Sequence, residues 1–141
     1  MFHKLMPATD GSAHAEHASK AIIDLAQNLP DTEVTIVHVS EDIPSRSEIF
    51  QAGFDVKSIL EADAHKSITR TEEAFTQAAV PYTLRVALGD PAQQIVELAA
   101  KLEIDLIVIG SRGLNKVSEM LLGSVSRKVT HDAHCPVMIV K

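Results

Sequence analysis

A three-layer α/β domain with a doubly wound parallel sheet is the fold this 141-residue chain predicts, and three observations carry the prediction. Apolar strand-like runs alternate with amphipathic helical stretches along the whole chain, and each parallel connection needs a crossover helix. Two of the runs, Val34 to Val39 and Asp105 to Ile109, are nearly continuous in apolar and β-branched residues, as strands covered on both faces are. Turns rich in glycine and polar residues, around Asp10 and Gly110, follow the first and fourth runs.

Phe2 to Thr9 is a short apolar run closed by Thr9-Asp10-Gly11-Ser12, which ends a strand and opens a helix. Ile22, Leu25, Ala26 and Leu29 then fall on one helical stripe, stopped by Asn28-Leu29-Pro30-Asp31. Val34 to Val39 is a central strand. After a polar loop with Pro44, Glu48 to Ala79 reads as one long, weakly amphipathic helical stretch whose best-placed apolar positions are Ile68, Phe75 and Ala79, with Gly53 blurring its start. Tyr82 to Leu88 alternates, as an edge strand with one wetter face does. Gly89-Asp90-Pro91 supplies a cap and a first-turn proline for a helix that puts Ile95, Leu98, Ala99 and Leu102 on one face. Asp105 to Ile109 runs into Gly110, a last helix lies within Val117 to Ala133, and Pro136 to Val140 is the final strand. The chain is expected to be one domain, residues 1–141, with ligands beyond the carboxyl ends of its strands where the winding reverses.

Composition narrows the function classes. With 45% hydrophobic and 23% charged residues the chain is an ordinary globular sequence, and a single cysteine, Cys135, rules out an internal disulfide or a Cys-rich zinc module. The expected location is the cytoplasm: no secretory leader is legible at the N-terminus and no run is long enough to span a membrane. A net charge of −6 and 4% aromatic residues argue against nucleic acid as a partner.

The chemistry concentrates in Gly110-x2-Gly113-x9-Gly123-Ser124. Glycines let a ligand approach backbone N–H groups, and a helix starting near Gly123 would aim its unpaired N–H groups and positive dipole end at an anion, which is phosphate chemistry. The spacing matches neither a Walker A loop nor G-x-G-x-x-G, and glycines at a strand end also serve as plain turn and packing residues.

With Leu5 to Ser12, His38-Val39, Gly89-Asp90-Pro91, Asp105 to Gly113, Leu121 to Val125 and His134 to Val137, that spacing makes the whole chain resemble the single-domain universal stress proteins, in their ATP-binding branch. The resemblance implies a Rossmann-like five-stranded sheet in the order 3-2-1-4-5, dimerisation through the last strand, and ATP, with Mg²⁺, held across strands one and four. It places Ala8, Thr9, Asp10 and Val39 at the adenosine end, Ile109, Gly110, Arg112 and Gly113 along the ribose and phosphate approach, and Gly123, Ser124, Val125 and Ser126 at the phosphates. Gly113 and Gly123 are expected to be required, because a side chain would fill the phosphate volume or forbid the backbone geometry. Pro7 departs from the pattern, since it cannot donate a ladder hydrogen bond.

Each site residue also has a plainer role. Asp10 could simply cap a helix, Arg112 and Lys116 could be solvated cations, and Ser124 and Ser126 could cap the helix they open. The pairs His14/His17 and His131/His134 share helical spacing without a third metal ligand, and Cys135 before Pro136 fits a small core residue better than a nucleophile. The leading function is a nucleotide-dependent regulatory or stress-response module with an unidentified protein partner. The alternatives are a slow ATPase or nucleotide-dependent phosphotransferase, and a dimeric structural module. Turnover is expected to be slow or absent, since Glu119 is the only carboxylate between Gly110 and Ser126 and no Walker lysine is present.

Overall fold

The computed structural model describes residues 2–9, 13–111 and 123–141, the side chains of 13–15 excepted. In chain order its elements are β1 (Lys4–Ala8), α1 (Ala13–Asn28), β2 (Glu33–Ser40), α2 (Arg46–Gln51), α3 (Val56–Ser67), α4 (Thr69–Gln77), β3 (Thr83–Leu88), α5 (Pro91–Lys101), β4 (Leu106–Gly110), α6 (Ser124–Asp132) and β5 (Val137–Val140). The strands form one parallel sheet in the order β3-β2-β1-β4-β5, with the alternating strand at one edge as its pattern predicts.

Two hydrophobic cores, one on each face, make the three layers. Leu5, Val34, Ile36, Leu106 and Val108 turn toward Ala18 and Ile22 of α1, Phe75 of α4, and Ile68 between α3 and α4. Met6, Ala8, Val37, Ile107 and Ile109 turn the other way, onto Ala92, Ile95 and Ala99 of α5 and Val129 of α6. The stripe expected on α5 is the one buried. On α1 the deepest positions, Ala18 and Ile22, begin a turn earlier than the expected stripe, and Leu25 and Ala26 are only partly covered.

Pro7 is buried within β1 without disrupting it. Thr9 N–H donates to Val37 O, so odd-numbered residues of this strand face β2, and the N–H that Pro7 lacks would have pointed there too. Accordingly, β1 is in register with β2 at Lys4, Leu5 and Ala8, while its pairing with β4 runs unbroken from Leu5 to Ala8.

The long helix expected over 48–79 is three helices. Gly53 and Phe54 both take positive φ, 63° and 66°, which stops α2, and Asp55 then caps α3 through Ser58 N–H. A second break falls at Ile68, which ends α3 and starts α4 with its side chain in the core. Ile68 and Phe75 are buried as expected; Ala79 is exposed, because it sits past the helix at φ 57°. The last helix starts at Ser124, and the part of the expected span from 117 to 122 lies outside the described residues.

Candidate functional site

The winding reverses between β1 and β4. The helix after β1 lies on one face of the sheet and the helix after β4 on the other, so the two connections part and leave a crevice above the carboxyl ends of these strands. At this end of the sheet stand Ala8 and Thr9 at the end of β1, Val39 near the end of β2, Ile109 and Gly110 at the end of β4, and Gly123, Ser124, Val125 and Ser126 at the start of α6. Asp10, Arg112 and Gly113, with Lys116 and Glu119, lie outside the described residues.

Two hydrogen bonds seat the start of α6 against the end of β4, and a third ties that end to β5. Ser111 N–H donates to Val140 O at 2.8 Å, Gly123 N–H donates to Ser111 O at 2.8 Å, and the buried Ser126 hydroxyl donates to Gly110 O at 2.6 Å. Gly110 lies where the β1–β4 ladder runs out, since that pairing stops at Ile109. Ser126 therefore spends its single hydroxyl proton on this carbonyl, and toward a phosphate it offers its backbone N–H rather than its side chain.

The start of the helix leaves donors exposed. Gly123 is its N-cap and makes no side-chain cap bond, and the first bond back to it comes from Arg127 N–H at 3.0 Å. The N–H groups of Ser124, Val125 and Ser126 thus precede the first intrahelical bond, at the positive end of the dipole. Gly123 has φ −62° and ψ 159°, a conformation open to any residue. Of the two reasons expected for glycine at this position, only the need for space survives.

Strand parity sets the opposite wall. Val37 O accepts from Thr9 while Ser40 O accepts from Gly89 N–H, so odd-numbered residues of β2 face β1 and even-numbered ones face β3. Val39 therefore turns its N–H and C=O toward the crevice, above the last residue of β1. His38 Nδ1 lies 3.0 Å from Thr9 O. In the sequence His38 stands out only as part of the family pattern, a histidine near the end of the strand beside β1.

The other candidates have local roles. Asp90 caps α5 through Gln93 N–H at 3.0 Å and lies 3.6 Å from the Lys128 ammonium. Cys135 is half-buried against the second core, and burial pushes its thiol up, which suits a core residue rather than a nucleophile. His131 bonds its neighbour Asp132, and among the described residues no group of three His, Cys, Asp or Glu side chains is placed to hold a metal. None of the described helices is long and apolar enough to cross a membrane.

Sheet order and helix placement together define a doubly wound α/β protein whose last helix starts at the winding reversal. Over residues 1–141 the sequence matches the universal stress protein family, and the chain belongs to that family. It is 32% identical to universal stress protein YxiE of Bacillus subtilis, with full coverage of both chains. It is 30% identical to universal stress protein MJ0531 of Methanocaldococcus jannaschii, covering all of this chain and 83% of that one. Among solved structures, hypothetical protein MJ0577 superposes with a TM-score of 0.79 at 29% identity, over 100% of this chain and 96% of that one. The same fold, at 22% identity and a TM-score of 0.68, occurs in an Arabidopsis thaliana family member with AMP bound, covering 99% and 91% of the two chains. A universal stress protein in complex with cAMP matches at 22% identity and a TM-score of 0.69, covering 99% and 96%.

Proposed function

We propose that this chain binds an adenine nucleotide, ATP with its Mg²⁺, in the crevice between β1 and β4, and acts as a cytoplasmic, homodimeric regulatory module of the stress response. The observation that carries the reading is the start of α6, where the N–H groups of Ser124, Val125 and Ser126 lie unclaimed by the helix beside the end of β4. The donor set suits the ligand: backbone N–H groups for phosphate oxygens, and Ala8 with half-buried Val39 as an apolar seat for a purine. AMP and cAMP in two proteins of the same fold support an adenine nucleotide over other anions. Mg²⁺ would enter through the phosphates, keeping most of its water. Asp10, Arg112 and Gly113 are assigned by resemblance to the adenosine and phosphate ends.

Denaturing the purified protein and identifying the released small molecules tests the ligand directly, and adenine nucleotide is expected. In calorimetry, Gly123→Val should lose ATP binding while its circular dichroism stays native, because valine is allowed at this φ but its side chain would occupy the phosphate space. Unchanged ATP affinity in that variant places the ligand elsewhere.

A further inference from the structure

We infer that His38 is a positioning residue for the nucleoside end of this crevice, a role that rests on the nucleotide reading above. The ladder between β1 and β2 ends with Thr9 N–H donating to Val37 O, and by strand parity the next donor in line for Thr9 O would be Val39 N–H. At that carbonyl stands the imidazole of half-buried His38, with Nδ1 at 3.0 Å. A carbonyl oxygen only accepts, so Nδ1 carries the proton, and the neutral ring is the Nδ1–H tautomer with a bare lone pair on Nε2.

Two consequences follow for the site. The Thr9 carbonyl belongs to the peptide that leads into Asp10, so the ring fixes the orientation of the chain where it leaves the sheet. The same bond seats the ring next to Val39, whose backbone N–H and C=O turn by strand parity toward the crevice. Both effects bear on the nucleoside end. At the phosphate end the matching task falls to Ser126 and Gly110, which share no hydrogen bond with His38. His38 therefore governs how tightly a nucleoside is held and leaves the increment from the phosphates alone.

The test compares adenosine and ATP by calorimetry on the wild type, His38→Leu and His38→Asn, with ¹⁵N NMR of the imidazole in the wild type. Leucine fills similar space without a donor, whereas the asparagine amide can donate from nearly the Nδ1 position. His38→Leu should lose about tenfold in affinity for adenosine and for ATP alike, the scale of one partly buried hydrogen bond. Their affinity ratio should not change, and His38→Asn should recover most of the loss. Wild-type adenosine affinity in His38→Leu, an altered ratio, or no rescue by asparagine overturns the assignment. If His38→Leu does not fold, the NMR still decides: the Nδ1–H tautomer is expected, and an Nε2–H ring refutes the bond on which the role depends. A wild type that binds neither ligand overturns the nucleotide reading itself, and this role with it.

Discussion

Asp105 shows how much one side chain can hold when its carboxylate meets the start of the chain. Its Oδ2 accepts from Lys4 N–H at 2.8 Å and His3 N–H at 2.9 Å, and its own N–H donates to Lys4 O, so it ties the entry of β1 to the entry of β4. The Lys4 N–H first, and then that of His3, favour the ionised carboxylate and lower its pKa from 3.8. A carboxylate with a lowered folded-state value contributes stability that is complete above its unfolded value and disappears as pH falls through the folded one. Asp105→Asn should therefore be less stable than wild type by a constant amount above about pH 5, with the gap narrowing below about pH 4 as wild type loses its advantage. Urea midpoints across that range check the sign, and a gap that widens on acidification contradicts it. At this scale sequence reading had little purchase. Asp105 read only as the first residue of a strand, and nothing in the sequence shows that it meets Lys4, a hundred residues away.

Elements were legible where hydrophobic period and turn chemistry agreed. Asp90-Pro91 opens α5, Ile95 and Ala99 are buried, and β3 lies at the edge, because each feature is a local signal that the tertiary structure leaves intact. The end of α4 was less legible, because an ordinary residue makes it. Phe75 O accepts from Val80 N–H and Thr76 O from Ala79 N–H, with Ala79 at φ 57°. At the end of α5, Ala99 O and Ala100 O accept from Ile104 and Glu103 N–H in the same way, with Glu103 at φ 55°. These are Schellman ends in which an ordinary residue occupies the position glycine prefers, and Val80 and Ile104, buried just beyond, compensate for the strain. The same cause explains why Ala79 was expected in the core and is not. Replacing Glu103 with glycine relieves the left-handed conformation at an unconstrained surface, so thermal or urea unfolding should show a gain of up to about 1 kcal/mol. In the candidate site, the glycine spacing pointed to the start of α6 and the strand ends. The Ser126–Gly110 and His38–Thr9 bonds were not legible, since each joins a side chain to a backbone carbonyl that only the fold brings near it.

For the whole molecule, assembly and turnover are the open properties, and the edge strand bears on the first. Ile107 N–H and Ser111 N–H donate to Pro136 O and Val140 O, so even-numbered residues of β5 face β4 and Val137 and Ile139 turn their backbone groups outward. A second copy pairing there would satisfy that edge. Ile139→Pro is a sharper probe than Val140→Lys, because it deletes an outward N–H, whereas the backbone of Val140 faces β4. Light scattering should give a dimer for wild type and a weakened one for Ile139→Pro; a wild-type mass of one chain at micromolar concentration refutes the pairing. Turnover demands more than binding. Rapid phosphoryl transfer needs an oriented nucleophile, carboxylates to hold metal, and charge stabilisation at the γ-phosphate, effects that together supply many kcal/mol. Across the segment from Gly110 to Ser126 the sequence provides one carboxylate, Glu119, and two cations, Arg112 and Lys116. Under the proposed reading the backbone N–H groups of α6 would hold substrate and transition state nearly alike, and such uniform binding does not accelerate a reaction. Nucleotide should instead act on the folded state as a whole, raising the melting temperature with ligand concentration as linkage requires. With ATP and Mg²⁺, purified protein should show that shift while releasing phosphate negligibly on the timescale of ligand exchange. Several turnovers per minute, abolished by Glu119→Gln or Arg112→Ala, would make the protein an enzyme and the crevice its active site.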